Sequence, residues 1–206
     1  MERVRFFYDF VSPYTYLAAT QIGKAVPEAE WEPAFLGAIM KATGNQPPAT
    51  LPARAAYMMH DLPRWAELYG VPFRWSPHFP LPTQHALRAA LAVRAAAPDR
   101  YLPFVQAAFR AMWEAGENLG ERAVIARVAE SVGADGALAA AASDDPRWKD
   151  ALKVSTDAAL AAGAFGLPAF VVGDGELYFG NDRIELLQRR LAAGRPTPPL
   201  ATLISV

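Results

Sequence analysis

Ser12 is the side chain best placed to do chemistry, in the run Phe6-Phe7-Tyr8-Asp9-Phe10-Val11-Ser12-Pro13-Tyr14-Thr15-Tyr16. Serine is a favoured N-cap and proline a favoured first helical residue, so Ser-Pro after an apolar strand opens a helix with the hydroxyl at its positive end. A hydroxyl there can hold an anion, or it can simply cap the helix. Ser12 lacks the G-x-S-x-G elbow of a hydrolase nucleophile, and proline stands beside it. That placement suits donating to an anion better than losing a proton to a base. Leu167-Pro168 is a second candidate. A cis bond there would turn the N–H and C=O of Leu167 outward, able to pair with a peptide-like ligand as an added strand does. Asn181 and Asp182 stand at another helix start, where backbone amides favour a carboxylate and the Asp182 side chain could receive an ammonium or act as an ordinary cap. Lys41 and Asn45 are polar residues just beyond a predicted edge strand, and the plain reading of Lys41 is a solvated lysine. Trp65, Tyr69 and Trp75 read more readily as core than as a ligand platform.

Composition narrows the chemistry. The sequence has no cysteine, which removes disulfides, thiolate metal sites and any thiol chemistry of its own. Sulfur, if used, is borrowed. His60, His78 and His85 are the only histidines and have no metal-ligand spacing, so no metal site is expected. Twenty Lys and Arg against 21 Asp and Glu leave a formal charge of −1, no basic footprint for nucleic acid and no attraction to an anionic membrane. The N-terminal stretch MERVRFFYDF has no signal-peptide pattern, and no uncharged apolar run approaches the roughly 20 residues of a membrane span. A soluble cytoplasmic protein with a neutral or small charged ligand is expected.

The elements that must position these groups follow from periodicity. Val4 to Tyr8 reads as a strand, then a helix through Ala25, then a strand over Ala29 to Leu36 with Trp31, Pro33 and Phe35 on one face. Pro33 cannot donate to a ladder, so this strand belongs at a sheet edge, and the β-α-β unit should be parallel. From Gly37 to about Gly163 helical spacing dominates, giving helices over Ala53 to Tyr69, Thr83 to Ala96, Arg100 to Glu114, Glu121 to Val132 and Pro146 to Ala162. Sheet patterning returns in Pro168 to Val172 and Glu176 to Phe179, joined by Gly173-Asp174-Gly175 as a hairpin turn. A last helix buries Ile184, Leu187 and Leu191, and Leu200 to Val206 is expected to pack back on the body. The order β-α-β, helical block, β-β-α is that of an α/β thioredoxin-like fold. Residues 1–37 and 163–206 form its body, and residues 38–162 are a helical domain inserted in its middle. In such a fold Ser12 and Leu167-Pro168 share one site.

Four stretches, FYDFVSPYTYLA, LGAIMKATGNQPP, DLPRWAELYGVPF and GAFGLPAFVVGDGELYFGNDR, together resemble the 2-hydroxychromene-2-carboxylate isomerase family. That family is similar to kappa-class glutathione transferases and related to the DsbA-like disulfide oxidoreductases; the resemblance runs from about residue 4 to about 191. It implies glutathione as cofactor, with Ser12 in place of the first cysteine of the redox relatives and its hydroxyl on the glutathione sulfur. It implies Pro168 as the cis proline, Leu167 pairing with the cysteinyl part, Asn181 and Asp182 at the γ-glutamyl end, and Lys41 and Asn45 lining the site from the helical domain. Trp75 would stand on the hydrophobic substrate wall. At the position of Asn181 family members often carry serine. The implied reaction is isomerisation of 2-hydroxychromene-2-carboxylate, or a similar small aromatic carboxylate from aromatic catabolism, by reversible thiolate addition in a homodimer. Conjugation of electrophiles by a kappa-type transferase is the alternative, and a non-catalytic thiol-peptide or carboxylate binder a third. A free thiol has a pKa near 8.5, and one hydrogen bond to its anion, worth roughly 1.5–3 kcal/mol, shifts it by about one to two units.

Overall fold

Period-2 alternation in β1 (Val4–Tyr8) sends Phe6 and Tyr8 to one face of a sheet and Phe7 to the other, and the strand is central. The computed structural model describes residues 2–173 and 175–194; Asp174 and the tail from Arg195, including the expected packing of Leu200 to Val206, lie outside the described residues. After β1 come α1 (Pro13–Ala25), β2 (Glu30–Pro33), α2 (Leu36–Thr43), a 3-10 turn (Pro48–Thr50), α3 (Pro52–Tyr69), α4 (Gln84–Ala96), α5 (Pro98–Trp113), α6 (Arg122–Ser131), α7 (Gly136–Ala141) and α8 (Pro146–Ala161). The chain then returns to the sheet with β3 (Ala169–Val172) and β4 (Glu176–Phe179), followed by a 3-10 turn (Asn181–Arg183) and α9 (Ile184–Ala193).

The sheet order is β2-β1-β3-β4, with β2 parallel to β1 and the other two pairs antiparallel. Pro33 therefore lies on an edge strand, where its missing donor costs nothing. This is the DsbA-like thioredoxin arrangement, with a mixed α/β body and many helices between β2 and β3.

Two short helices were not expected. α2 occupies the stretch bearing Lys41 just beyond the edge strand, where the sequence assigns no helix; its N-cap residue Phe35 has no capping side chain, so the local sequence shows no start signal. α7 is six residues of mostly alanine, capped by Asp135, which accepts from the Leu138 amide at 3.0 Å.

The core runs from the sheet into the helical block without a break. Phe6 stacks on Phe170 with centroids 5.1 Å apart, Tyr8 and Phe10 meet Phe109 of α5 at 5.8 and 4.9 Å, and the buried Trp113 indole donates to the Phe10 carbonyl at 2.8 Å. A smaller cluster of Phe7, Leu36, Ile39, Leu167, Ala169 and Val171 covers the other face. Among the described residues no helix is long and apolar enough to cross a membrane.

Candidate active site

β1 ends at Tyr8, and the chain turns through Asp9 to Ser12, whose amide donates to the Asp9 carbonyl at 3.2 Å. Ser12 has the extended backbone of an N-cap (φ −87°, ψ 114°), and its Oγ accepts from the Thr15 amide at 3.2 Å, with Pro13 as the first helical residue. The hydroxyl proton goes elsewhere: Ser12 Oγ donates to the Leu167 carbonyl, 155 residues away, at 3.1 Å. The Leu167–Pro168 peptide bond is cis, as is Phe79–Pro80, which the sequence did not single out. Ser12 and Leu167 therefore share one site. The Leu167 carbonyl, expected to await a ligand, already has a partner, because a buried carbonyl without one would cost free energy. Ser12 is 5% exposed, just under the surface between half-buried Val11 and Tyr14.

The γ-glutamyl candidates are tied to the same place through glycine. Gly180, at φ 108°, donates its amide to the Pro168 carbonyl at 3.1 Å, which pins the end of β4 onto the proline. Asn181 is buried; its Nδ2 donates to the Tyr69 hydroxyl at 3.2 Å, and that hydroxyl donates to the Asn181 carbonyl at 3.2 Å. The helix start expected at these residues falls at Ile184, and Asp182 caps nothing. Asp182 stands instead in the 3-10 turn, partly exposed, and pairs with Arg183 at 2.5 Å. Asn181, Asp182, Tyr69, Trp65 and Lys24 line a groove of about 570 Å³ between α1, α3 and α9.

The other candidates lie further out. Asn45 follows the α2 cap Gly44, and its Nδ2 donates to the Phe165 carbonyl at 3.1 Å, strapping α2 to the loop that leads into Leu167. Lys41 is exposed on the last turn of α2. Trp75 is half-buried, packs against Phe73, Phe79 and Trp113, and lines a separate apolar cavity of about 460 Å³ with Met58, Met59 and Phe79. Neither Ser12 nor Leu167 lines that cavity.

Four residues that the sequence did not single out lie on the Ser12 turn or join it through α1. Tyr14, two positions along α1, donates to Asp61 Oδ2 at 2.9 Å, and Tyr57 donates to Asp61 Oδ1 at 2.9 Å. Burial, then the Asp61 carboxylate, then the charge of Asp182 further off push the Tyr14 hydroxyl far above its ordinary range, so it remains a neutral donor. Tyr57 and Asp61 are one helical turn apart, which was a visible signal; the contact of Tyr14 with α3 was not. The fourth is Asp9, fully buried, whose burial pushes its carboxyl above the usual range against hydrogen bonds from Thr83 and from the Leu36, Val11 and Phe10 amides. Taken together, the region offers neutral donors at a helix N-terminus flanked by the carboxylates of Asp61 and Asp182. That suits a ligand carrying an anionic group and an ammonium.

The fold is of the DsbA-like thioredoxin type, with Ser12 at the start of its first helix facing the carbonyl before a cis proline. The chain belongs to the DsbA-like thioredoxin domain family, whose model matches residues 3–192. Within that family it is similar to glutathione S-transferase kappa 1 of Homo sapiens, 32% identical over 95% of this chain and 94% of the relative. It is also similar to 2-hydroxychromene-2-carboxylate isomerase of Sphingobium xenophagum, 28% identical over 91% of this chain and 97% of the relative. A solved 2-hydroxychromene-2-carboxylate isomerase superposes with a TM-score of 0.82 at 25% identity, covering 94% of this chain and 99% of that one.

Proposed function

We propose that the protein is a glutathione-dependent enzyme that isomerises a small aromatic carboxylate of the 2-hydroxychromene-2-carboxylate type between cis and trans forms. The observation that carries this reading is the Ser12 hydroxyl at the start of α1, 3.1 Å from the carbonyl preceding a cis proline, in a chain with no cysteine. Both kinds of relative, a kappa transferase and a chromene carboxylate isomerase, are enzymes; the name of the first supports glutathione and that of the second the isomerisation.

The residues present fit glutathione. The Leu167 carbonyl can accept the cysteinyl amide, Asp182 can take the ammonium of the γ-glutamyl end, and Asn45 and Lys41 border the approach from α2. Glutathione, if held there, would supply the thiolate nucleophile for reversible addition to a conjugated double bond, the chemistry that allows rotation about it. The work of this chain's own groups is positional and electrostatic. Ser12 turns its hydroxyl from Leu167 toward the sulfur while the amide that pairs with Leu167 replaces it. The positive end of the α1 dipole favours the negative charge. Tyr14, kept neutral, offers a hydroxyl on the same rim.

A transferase is the second reading, favoured by the 32% identity to the human kappa enzyme. Turnover separates the two. Conversion of the chromene carboxylate with no loss of glutathione supports the isomerase. Stoichiometric loss of glutathione with a halogenated arene, and no isomerisation, refutes it in favour of transfer.

A further inference from the structure

Asp9 is the only fully buried carboxylate among the described residues, and it lies three positions before Ser12. Its two oxygens gather donors from three segments. Oδ1 accepts from the Val11 amide at 3.2 Å and the Thr83 hydroxyl at 2.5 Å, and Oδ2 accepts from the Leu36 amide at 2.9 Å. Val11 belongs to the Ser12 turn, Leu36 is the first residue of α2, and Thr83 leads into α4. α2 has no capping side chain of its own, so Asp9 supplies from 27 residues away the negative group its N-terminus favours. The far end of α2 is strapped through Asn45 to the loop before Leu167. One carboxylate thus sets the Ser12 turn relative to both sides of the site.

We propose that Asp9 is a positioning residue: its carboxylate holds the Ser12 turn in register with α2 and the Leu167 loop, so that the Ser12 hydroxyl meets the sulfur of a bound thiol. This rests on the reading of Ser12 given above. Only a carboxylate serves all three donors. In Asp9→Asn the volume is kept, but whichever way the amide faces, its NH2 opposes either the Val11 or the Leu36 N–H. The groups facing Asp9 are neutral donors, the Thr83 hydroxyl and the Phe10, Val11 and Leu36 amides, so position and charge act with opposite sign. Removing a negative charge alone would make a nearby thiolate easier to form and lower its pKa. Losing the alignment of Ser12 raises it.

The test is the ultraviolet titration of the glutathione thiol bound to wild type, Asp9→Asn, Thr83→Val and Thr83→Ser, with far-ultraviolet circular dichroism and calorimetric glutathione affinity at pH 6. Asp9→Asn is expected to raise the bound thiol pKa by about one unit, a tenfold fall in the thiolate-to-thiol ratio, with affinity at pH 6 changed less than about threefold. Thr83→Val, which keeps the carboxylate and its charge, should raise it by less, and Thr83→Ser should restore it. An unchanged or lowered thiol pKa in Asp9→Asn overturns the proposal. Should that variant fail to fold, an unchanged pKa in Thr83→Val overturns it just as well. Wild type that binds no glutathione refutes the site itself and this role with it, whereas normal binding with indifferent variants refutes the role alone.

Discussion

Replacing Ser12 with alanine should slow the reaction at neutral pH and leave it nearly intact in alkali. A hydrogen bond from a hydroxyl to a charged sulfur is worth roughly 1.5–3 kcal/mol. Here the hydroxyl must first give up the 3.1 Å bond to the Leu167 carbonyl, a neutral interaction worth about 1 kcal/mol net. The remainder, about 0.5–2 kcal/mol, lowers the thiol pKa by about 0.4–1.5 units; taken as one unit, it falls from near 8.5 to near 7.5. At pH 7 the thiolate fraction is then about 24% in wild type and about 3% in Ser12→Ala, an eightfold difference that closes above about pH 9. The helix amides remain in both, so their contribution cancels. Removing the cap should also cost about 1 kcal/mol of stability through the Thr15 amide. The assay is kcat/KM against pH for the isomerisation, with a urea melt alongside. Superimposable profiles for the two proteins would refute the assignment of the hydroxyl to the sulfur.

Asp182→Asn should weaken glutathione binding about fivefold by calorimetry with no change in melting temperature, since the carboxylate is partly exposed and paired only with its neighbour Arg183; unchanged affinity would remove it from the ammonium site. Gly180→Ala forces a side chain onto φ 108° with its Cβ 2.5 Å from Asp182 Oδ1, so a loss of about 1–3 kcal/mol in urea, with weaker glutathione binding, is expected. Burial raises the Asp9 carboxyl in the folded state, so its contribution is greatest below about pH 4, its unfolded range, and is lost as pH rises through the folded value. The stability of wild type relative to Asp9→Asn should therefore fall as pH is raised from about 3.5 to 7, and a flat difference would show that the carboxyl is not displaced.

How far the sequence could be read depended on whether a signal was local. Ser-Pro after an apolar strand is a local signal, and α1 begins where it says; the β3–β4 pair and the edge position of β2 follow from alternation and from Pro33. α2 was missed because its cap is Asp9, distant in sequence, and no window around Phe35 contains it. Asn181 and Asp182 read as a helix start because Asn and Asp usually cap, whereas the chain makes a 3-10 turn first and Asn181 is held by Tyr69 from α3. The meeting of Ser12 with Leu167 followed from fold order, but that the two would bond to each other did not. The contact of Tyr14 with Asp61 was out of reach for the same reason as α2, because it joins α1 to α3, whereas Tyr57 and Asp61, one turn apart on α3, were a legible pair.

The bond between Ser12 and the Leu167 carbonyl also bears on which guests are admitted. A newcomer's amide that takes over this carbonyl trades one neutral hydrogen bond for another, so the middle of the cleft yields almost no net affinity. A bare alkyl thiol would have nothing more to offer and could not offset the freedom it loses on docking. On the proposed reading admission is therefore decided at the periphery, by charged groups able to reach carboxylates such as Asp182, and a thiol without an ammonium would be turned away however good its sulfur.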